Sequence, residues 1–262
     1  MRRRLIILAG SLVVLAIVAV VALVIIEKAR SDDPGLRTSA PEIPTAIAGA
    51  DVPATLRPAT TTTAVTAGTG TATPSTASTP APSNAAFHFV IDSTQSSAKY
   101  VVTEKLARLP VESDAVGTTS DVTGDIFLTP SGLAPGSKSS FKVDLRTLKT
   151  DESLRDRFVR DNTLQTSQFP FAEYEITSIT GLPANYSENT EVPVTITGNM
   201  TIHGVTKPMT FTSKARRAGT DLTGIADVDF KMSDFGIAPP SVPIAKAHDE
   251  IHVQVVIVAR QA

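Results

Sequence analysis

The stretch that decides the fold is GNMTIHGVTKPMTF, residues Gly198 to Phe211. Apolar side chains alternate with polar ones on both sides of a short polar break that contains His203 and Gly204. A period of two is typical of half-buried β-strands. Glycine favours the backbone angles of a turn, and Pro208, which has no amide hydrogen, is expected at the first residue of the next strand. The segment HGVTKP therefore predicts a hairpin connection. A functional role for the histidine is the alternative.

The same alternation continues on both sides of this hairpin. Four segments show it over nine or more residues: SFKVDLRTL, VPVTITGNMTI, LTGIADVDFKM and EIHVQVVIV. Shorter candidates are FHFVI, AKYVVTE, DIFL, AEYEITSI and MTFTSKA. Turn-forming sequences such as LAPGS and RAGTD separate them, so that about eight or nine short strands are expected. Antiparallel strands with one apolar face favour a sandwich or a closed barrel.

One stretch in this region, TDESLRDRFVRDNTLQTSQFP, lacks the period of two. Leu154 and Phe158 stand four residues apart, and acidic residues precede them, as is favourable at a helix N terminus. The sequence predicts one short helix, from about Glu152 to Asn162, inserted between strands. This helix carries three arginines: Arg155, Arg157 and Arg160. They form either a solvated face paired with nearby acids or contacts to an anionic head group at a barrel mouth.

The N-terminal segment has the composition of a membrane-spanning helix. MRRR precedes an uncharged apolar run from Leu5 to Ile26. As a helix this run would extend roughly 33 Å, enough to cross a bilayer core of about 30 Å. The basic residues before it favour a cytoplasmic N terminus. We expect residues 1–27 to be an uncleaved single-pass anchor in the cell membrane, with the rest of the chain outside the cytoplasm. A cleaved signal peptide is the alternative, although its apolar region is normally only about 7–15 residues long.

Residues 28–86 are predicted to be a disordered linker. They contain no aromatic residue, and the part from Pro58 onward is almost wholly Thr, Ala, Pro, Ser and Gly. Such a sequence cannot bury enough apolar surface to offset the entropy lost on ordering. All Phe and Tyr residues lie between Phe87 and Phe235. We therefore expect the folded domain to comprise residues 87–262.

The composition excludes several classes of function. The chain has no cysteine, which excludes disulfides, thiolate metal sites and a cysteine nucleophile. A formal net charge of −2 provides no field that favours nucleic acid. No nucleophile-elbow motif G-x-S-x-G is present. His248 and His252 would lie about 13 Å apart on a strand, too far to share a metal ion. We expect a protein that is not an enzyme and has no metal and no cofactor.

Several segments resemble, in the same order, the motifs of the YceI-like family of lipocalin-like polyisoprenoid-binding proteins. TGNMTIHGVTKPMTF resembles the best-known signature of the family, FVIDSTQSSAKYVV its first strands, VTGDIFL its G-x-F strand, and KMSDFGI a D-F-G-I element near its end. The helix-containing segment from Thr147 to Ile179 is also similar. The resemblance covers about residues 87–261 and departs from the family at Phe89, where tryptophan is common. It implies a mainly β fold: a lipocalin-like antiparallel barrel of about eight strands with one short inserted helix.

The resemblance also implies a ligand, a long isoprenoid or other lipid chain held inside the barrel. If the more apolar strand faces turn inward, together with one face of the helix, these residues line the pocket: Phe89, Tyr100, Phe127, Phe141, Phe158, Tyr174, Met200, Phe211, Ala226 and Phe230. The three helix arginines are the candidate head-group contacts. The alternative is a tethered interaction or adhesion module with a solid barrel core and functional loops. A homodimer is left open.

Overall fold

The computed structural model describes residues 35–43, 87–183 and 186–262. Its strands form one antiparallel sheet: β1 (Phe87–Ile91), β2 (Ser97–Leu106), β3 (Ser113–Thr119), β4 (Val122–Thr129), β5 (Gly132–Leu133), β6 (Ser140–Asp144), β7 (Phe171–Thr180), β8 (Val192–Ile202), β9 (Val205–Ala218), β10 (Asp221–Lys231), β11 (Ser241–Val242), β12 (Ala245–Ala247) and β13 (Glu250–Gln261). The helical elements are α1 (Ser153–Phe158), a π-helical turn at Val159–Thr163, and two 3₁₀ turns at Leu145–Thr147 and Met232–Phe235.

Eight of the strands close into a barrel. Their order is β1, β4, β6, β7, β8, β9, β10 and β13, and β13 returns to β1. β1 pairs with β13 at Ala259–Gln261, whereas β2 pairs with β13 further back, at His252–Val256. β1 and β2 therefore follow one another along a single side of the barrel. The prediction of an antiparallel barrel of about eight strands with one short helix is confirmed.

The apolar face of each strand is the inner one, as its alternation predicts. Phe141 and Val143 of β6 are buried, as are Met200 of β8 and Val255 of β13. They belong to one contiguous cluster of apolar side chains that fills much of the barrel. Burial of apolar surface is the main favourable contribution to folding, so the period of two holds the strands in this register.

The hairpin between β8 and β9 has a loop of two residues. Ile202 pairs with Val205, so that only His203 and Gly204 connect the strands. Their φ angles are 52° and 76°, and two consecutive left-handed residues are typical of a type I′ turn. The predicted hairpin is confirmed. The predicted connection HGVTKP is longer than the observed loop, however, because β9 already begins at Val205.

Pro208 lies inside β9, opposite Asn199, and not at the first residue of the strand as predicted. Antiparallel partners alternate between pairs that exchange two hydrogen bonds and pairs that exchange none. Counted from the loop-closing pair Ile202–Val205, the pair Asn199–Pro208 is of the second kind. The proline nitrogen therefore points away from β8, and β10 pairs with β9 only from Thr212 onward. A proline is tolerated at such an unpaired position.

The predicted helix is present between β6 and β7, although its second half is wound differently. α1 passes directly into the π-helical turn, and the two together span residues 153–163 against a predicted range of 152–162. Leu154 is 72% exposed. Its spacing from Phe158 therefore does not mark an apolar face packed on the barrel.

The predictions for the N-terminal part fall mostly outside the described residues. This holds for the predicted membrane span from Leu5 to Ile26. Among the residues that are described, no helix is long and apolar enough to cross a bilayer. Of the predicted linker, residues 28–86, the structure describes 35–43. β1 begins at Phe87, where the sequence places the start of the folded domain.

Residues 35–43, which we call the strap, lie along the outside of the barrel. The strap backbone is held by side chains of β10, β13 and their neighbours. The amide and the carbonyl of Arg37 both bond to the side-chain amide of Gln254, at 2.8 and 3.0 Å. The Ala40 amide donates to Glu191 at 2.7 Å, and the Pro41 carbonyl accepts from Thr223 at 2.8 Å. Two lysines complete the set through the carbonyls of Thr38 and Gly35: Lys214 at 2.5 Å and Lys99 at 2.7 Å.

The strap also covers apolar residues on the outer face of the barrel. Ala40 packs against Ile225 of β10 and Val256 of β13, and all three are at most 5% exposed. The prediction that residues 28–86 are disordered is therefore wrong for residues 35–43. A signal was present in the sequence, because Ile225 and Val256 are apolar residues on the face that the alternation assigns to solvent.

We expect Gly204→Val to destabilise the domain more than His203→Ala. A left-handed conformation costs a β-branched residue roughly 1–2 kcal/mol. In addition, a Cβ at Gly204 would lie 2.9 Å from Cε1 of Phe169. His203→Ala loses the ring contact with Phe169, whose centroid is 4.4 Å away, and brings no new steric clash, although alanine is less suited than histidine to the φ angle of 52°. Urea unfolding measures both changes, with His203→Asn as the control because asparagine tolerates this conformation. Equal and small losses would contradict the assigned turn.

We expect Ala40→Asp to release the strap and lower the melting temperature. The substitution would bury a carboxylate against Ile225 and Val256 and beside Glu191, a contact that is unfavourable by both desolvation and repulsion. Ser39→Asp is the matched control, since it adds the same charge at the exposed neighbouring residue. Thermal melts, with tryptic cleavage after Arg37, report stability and release. Identical behaviour of the two variants would show that the strap does not depend on its apolar contact.

Candidate ligand-binding site

The barrel interior contains two adjoining cavities. Cavity A has a volume of about 120 Å³ and lies toward α1, where Leu148 and Leu164 form part of its wall. Cavity B has a volume of about 110 Å³ and lies toward the β7–β8 connection, where Leu182 contributes. The walls of both consist mainly of Leu, Ile, Val, Met and Phe side chains. Space lined in this way is suited to hydrocarbon.

Phe141 and Val255 line both cavities, so they form the partition between them. Beside the partition, the Phe141 ring lies 5.4 Å from that of Tyr174, and Tyr174 meets Phe211 edge-on at 4.9 Å. Such spacings are favourable for aromatic pairs. This aromatic stack therefore lies beside the partition between the cavities.

Tyr174 is the centre of this stack, and its hydroxyl is already satisfied. Its one proton is shared between the backbone carbonyls of Ile196 and Met209, at 3.1 and 2.9 Å, and burial raises its pKa. The ring has room only because β8 carries a glycine beside it, since a Cβ at Gly198 would lie 2.7 Å from Cζ of Tyr174. In cavity A, burial likewise raises the pKa of Tyr100 to about 12. Both phenols therefore remain neutral at physiological pH.

Seven of the ten residues predicted to line a pocket do so. Four of them line cavity A: Tyr100, Phe141, Met200 and Phe230. Cavity B is lined by Phe141 again and by Tyr174, Phe211 and Ala226. Strand alternation thus located residues from six different strands on the inside of one barrel.

Three predicted residues lie elsewhere. Phe127 is on the outer face, where its ring stacks on His88 at 4.3 Å, because its neighbours Ile126 and Leu128 are the inward residues of β4 and line cavity B. Phe89 is fully buried in the core but reaches neither cavity. Phe158, on α1, is only half-buried and lines neither cavity.

The sequence-based selection favoured aromatic residues and so missed much of the aliphatic lining. Ile196, Val253 and Ile257 share strand faces with selected or alternating residues, and the same period of two could have identified them. Leu148 and Leu164 lie outside the strands, in the segments that flank α1. No periodic signal marks them, because only the folded chain brings these loops to the end of the barrel.

The three arginines near α1 have different surroundings. Arg155 forms ion pairs with Asp151 at 2.5 Å and with the buried Glu104 of β2 at 2.7 Å. Arg160 donates to the carbonyl of Leu148 at 2.8 Å. Within the described part of the chain only Arg157 of the three is exposed and forms no ion pair. Arg155 and Arg160 therefore fasten the helical segment to the barrel end.

A fourth arginine, which the sequence analysis did not select, lies near the other end of the barrel. Arg217 is on β9, and its guanidinium carbon is 4.1 Å from the centroid of the Phe87 ring. The backbone of Arg217 is held by Tyr186, whose hydroxyl accepts from the Arg217 amide at 2.6 Å. The contact of a cation with an aromatic face stabilises this end of the barrel.

The histidines form no metal site in the described residues, where no group of three or more possible ligands comes together. His248 bonds to Glu112 at 3.1 Å, and His252 to Asp229 at 2.8 Å. His203 packs on the Phe169 ring at 4.4 Å, as is consistent with its place in the hairpin turn. The groups around the cavities thus offer shape and apolar surface for binding.

Comparisons by sequence and by structure both find proteins that are similar to this chain. Residues 89–259 match the family model described as YceI-like domain. A UPF0312 protein of Shewanella baltica strain OS155 is 30% identical over 174 residues, which are 64% of this chain and 85% of that protein. A UPF0312 protein of Shewanella denitrificans is 26% identical over 155 residues, 53% of this chain and 77% of that protein.

Among solved structures, the fold is similar to that of a polyisoprenoid binding domain from Saccharophagus degradans implicated in plant cell wall breakdown. The two share 14% sequence identity with a TM-score of 0.53, over 67% of this chain and 99% of that one. At this identity the likeness concerns the fold.

Proposed function

The chain belongs to the family of YceI-like domains, and we propose that its barrel binds a long-chain isoprenoid or other lipid. The observation that carries this proposal is the pair of adjoining internal cavities with apolar walls. Protein interiors are normally packed to the density of organic crystals, so two such spaces in one small barrel are costly unless they are used. The polyisoprenoid binding domain of S. degradans, which has the same fold, supports an isoprenoid as the ligand.

The cavity volumes limit how a long chain can be held. A cavity of about 150 Å³ accommodates benzene, so each cavity here, of 110–120 Å³, has room for only a short piece of hydrocarbon. A long chain must therefore occupy both, and pass the partition formed by Phe141 and Val255. We infer that the Phe141 side chain shifts when the chain enters. Each buried CH₂ contributes about 0.8 kcal/mol, so that affinity rises with the length enclosed.

The proposed activity is binding without chemical conversion. Among the described residues, the charged residues that line the cavities are Lys99 and Lys214, and both donate to backbone carbonyls of the strap. Arg155 and Glu104, at the end of the barrel, pair with each other at 2.7 Å. The alternative, an interaction or adhesion module with a solid core, requires an interior without usable space. Apolar cavities on both sides of Phe141 favour the binding protein.

We further propose that the protein is held at the outer surface of the cell membrane by residues 1–27. Only eight residues, 27–34, separate the apolar run ending at Ile26 from the strap. At about 3.5 Å per residue they span at most roughly 30 Å. While the strap is bound to the barrel, the domain would therefore remain close to the bilayer, from which it would take its ligand. Residues 44–86, which follow the strap in the sequence, would then not determine the distance between the barrel and the membrane.

Ala226→Phe should abolish lipid binding while leaving the melting temperature nearly unchanged. Ala226 lines cavity B, where open space can take up the ring, whereas overpacking a filled core costs about 1–3 kcal/mol. Thr195→Phe, at an exposed residue of β8, adds the same ring outside and is the control. Lipid extracted from the purified variants and identified by mass spectrometry measures occupancy. The proposal would be refuted if three results came together. The wild-type protein would carry no lipid, it would take up no prenyl or acyl probe, and Ala226→Phe would lower its melting temperature.

The full-length protein should stay in the membrane fraction after carbonate washing. An apolar run of this length is held by the hydrophobic effect, which alkaline carbonate does not weaken. A chain starting at Lys28, which lacks residues 1–27, should be released, and serves as the control. Full release of a shortened chain that begins near Ala29 would instead show cleavage and a signal peptide.

A further inference from the structure

Ser213 is a buried polar residue inside the barrel. It lies on β9, paired with Val194 of β8 and Ala226 of β10, and all three line cavity B. Ser213 is 4% exposed. Its hydroxyl has no hydrogen-bond partner among residues 35–43, 87–183 and 186–262.

The other buried serines show that this is an exception. Ser139 accepts from the amide of Phe127 at 2.8 Å and donates to the carbonyl of the same residue at 3.3 Å. Ser96 forms the corresponding pair of bonds with Val258, at 3.0 and 3.2 Å. Both hydroxyls therefore form hydrogen bonds within the barrel. The Ser213 hydroxyl forms no such bond in the described chain, and an unpaired buried hydroxyl is destabilising.

Among the described residues that line cavity B, Ser213 is the one with a buried side-chain polar atom that has no hydrogen-bond partner. The Tyr174 hydroxyl shares its one proton between two backbone carbonyls, those of Ile196 and Met209. Lys214 points outward, and its ammonium group donates to Thr38 in the strap. The Nε of Arg217 is also buried without a partner, but Arg217 does not line cavity B, and its guanidinium lies against the Phe87 ring.

We propose that Ser213 anchors an uncharged oxygen-bearing group of the lipid, a hydroxyl or a carbonyl, inside cavity B. The hydroxyl of Ser213 can donate to either group. A charged phosphate at this point is disfavoured, because Lys214, the one cationic residue among the described residues that line cavity B, directs its ammonium group to the Thr38 carbonyl in the strap. An unpaired buried charge is strongly destabilising. The hydrocarbon part then extends past Phe141 and Val255 into cavity A. This inference rests on the proposed lipid-binding function and adds the chemical class of the ligand.

Two probes of equal chain length, octan-1-ol and octane, test the proposal by competition with a neutral fluorescent dye for the wild-type protein. Ser213→Ala should weaken octan-1-ol about three- to tenfold, the range expected for one hydrogen bond, and leave octane unchanged. Ser213→Thr, which keeps a hydroxyl, should retain the preference for the alcohol. Thr212→Val removes the neighbouring outward hydroxyl of the same strand and is the control that should change neither probe.

The outcomes separate this inference from the proposed function. If both probes bind but Ser213→Ala leaves their affinity ratio unchanged, or weakens both equally, the anchor is refuted and lipid binding stands. If neither probe binds the wild-type protein, both proposals fail. Thermal melting of the ligand-free protein provides a second test. Ser213→Ala should melt at the same temperature or higher, because an unpaired hydroxyl is lost. A clear decrease would mean that a bound water or another group already satisfies Ser213 and would overturn the anchor.

Discussion

Closure of the barrel between β13 and β1 is the constraint on which the other features depend. The three paired positions, from Phe89–Gln261 to Ile91–Ala259, join the last strand to the first. Because side chains alternate along a strand, closing the sheet commits every second residue of eight strands to a common interior. An eight-stranded barrel is just wide enough for side chains or one small ligand. Here large and small inward residues leave two spaces, which meet at Phe141 and Val255.

The interior of the barrel and its end near α1 have different roles. The end near α1 is closed by polar contacts, since Arg155 pairs with Glu104 and Arg160 with the Leu148 carbonyl. Inside, the buried hydroxyls of Ser96, Ser139 and Tyr174 bond to backbone carbonyls. Ser213 differs from Ser96 and Ser139 in this respect, which is why we propose it as the contact to a ligand. Apolar walls supply affinity in such a site, and a single hydroxyl supplies orientation.

The outer face of the barrel also contains buried apolar residues. A barrel exterior in water is normally polar, yet Ile225 and Val256 are both buried there by the strap. The bonds that hold the strap come mainly from side chains of β9, β10 and β13, on the wall that also encloses cavity B. The strap therefore connects the N-terminal part of the chain to the wall of the proposed binding site, across 217 residues of sequence between Arg37 and Gln254.

The sequence by itself determined the antiparallel strands, the helix position, the hairpin at Gly204 and most of the aromatic lining, because these follow from local alternation and turn chemistry. The choice of a barrel over a sandwich came from the family resemblance. Tertiary structure alone decided the rest. A period of two defines two faces of β4 but does not say which one turns inward, and so Phe127 was misplaced. The strap, the Arg155–Glu104 pair and the isolation of Ser213 depend on partners far away in sequence. Residue patterns describe what a segment can bury, whereas only the closed fold determines which partner each polar group reaches.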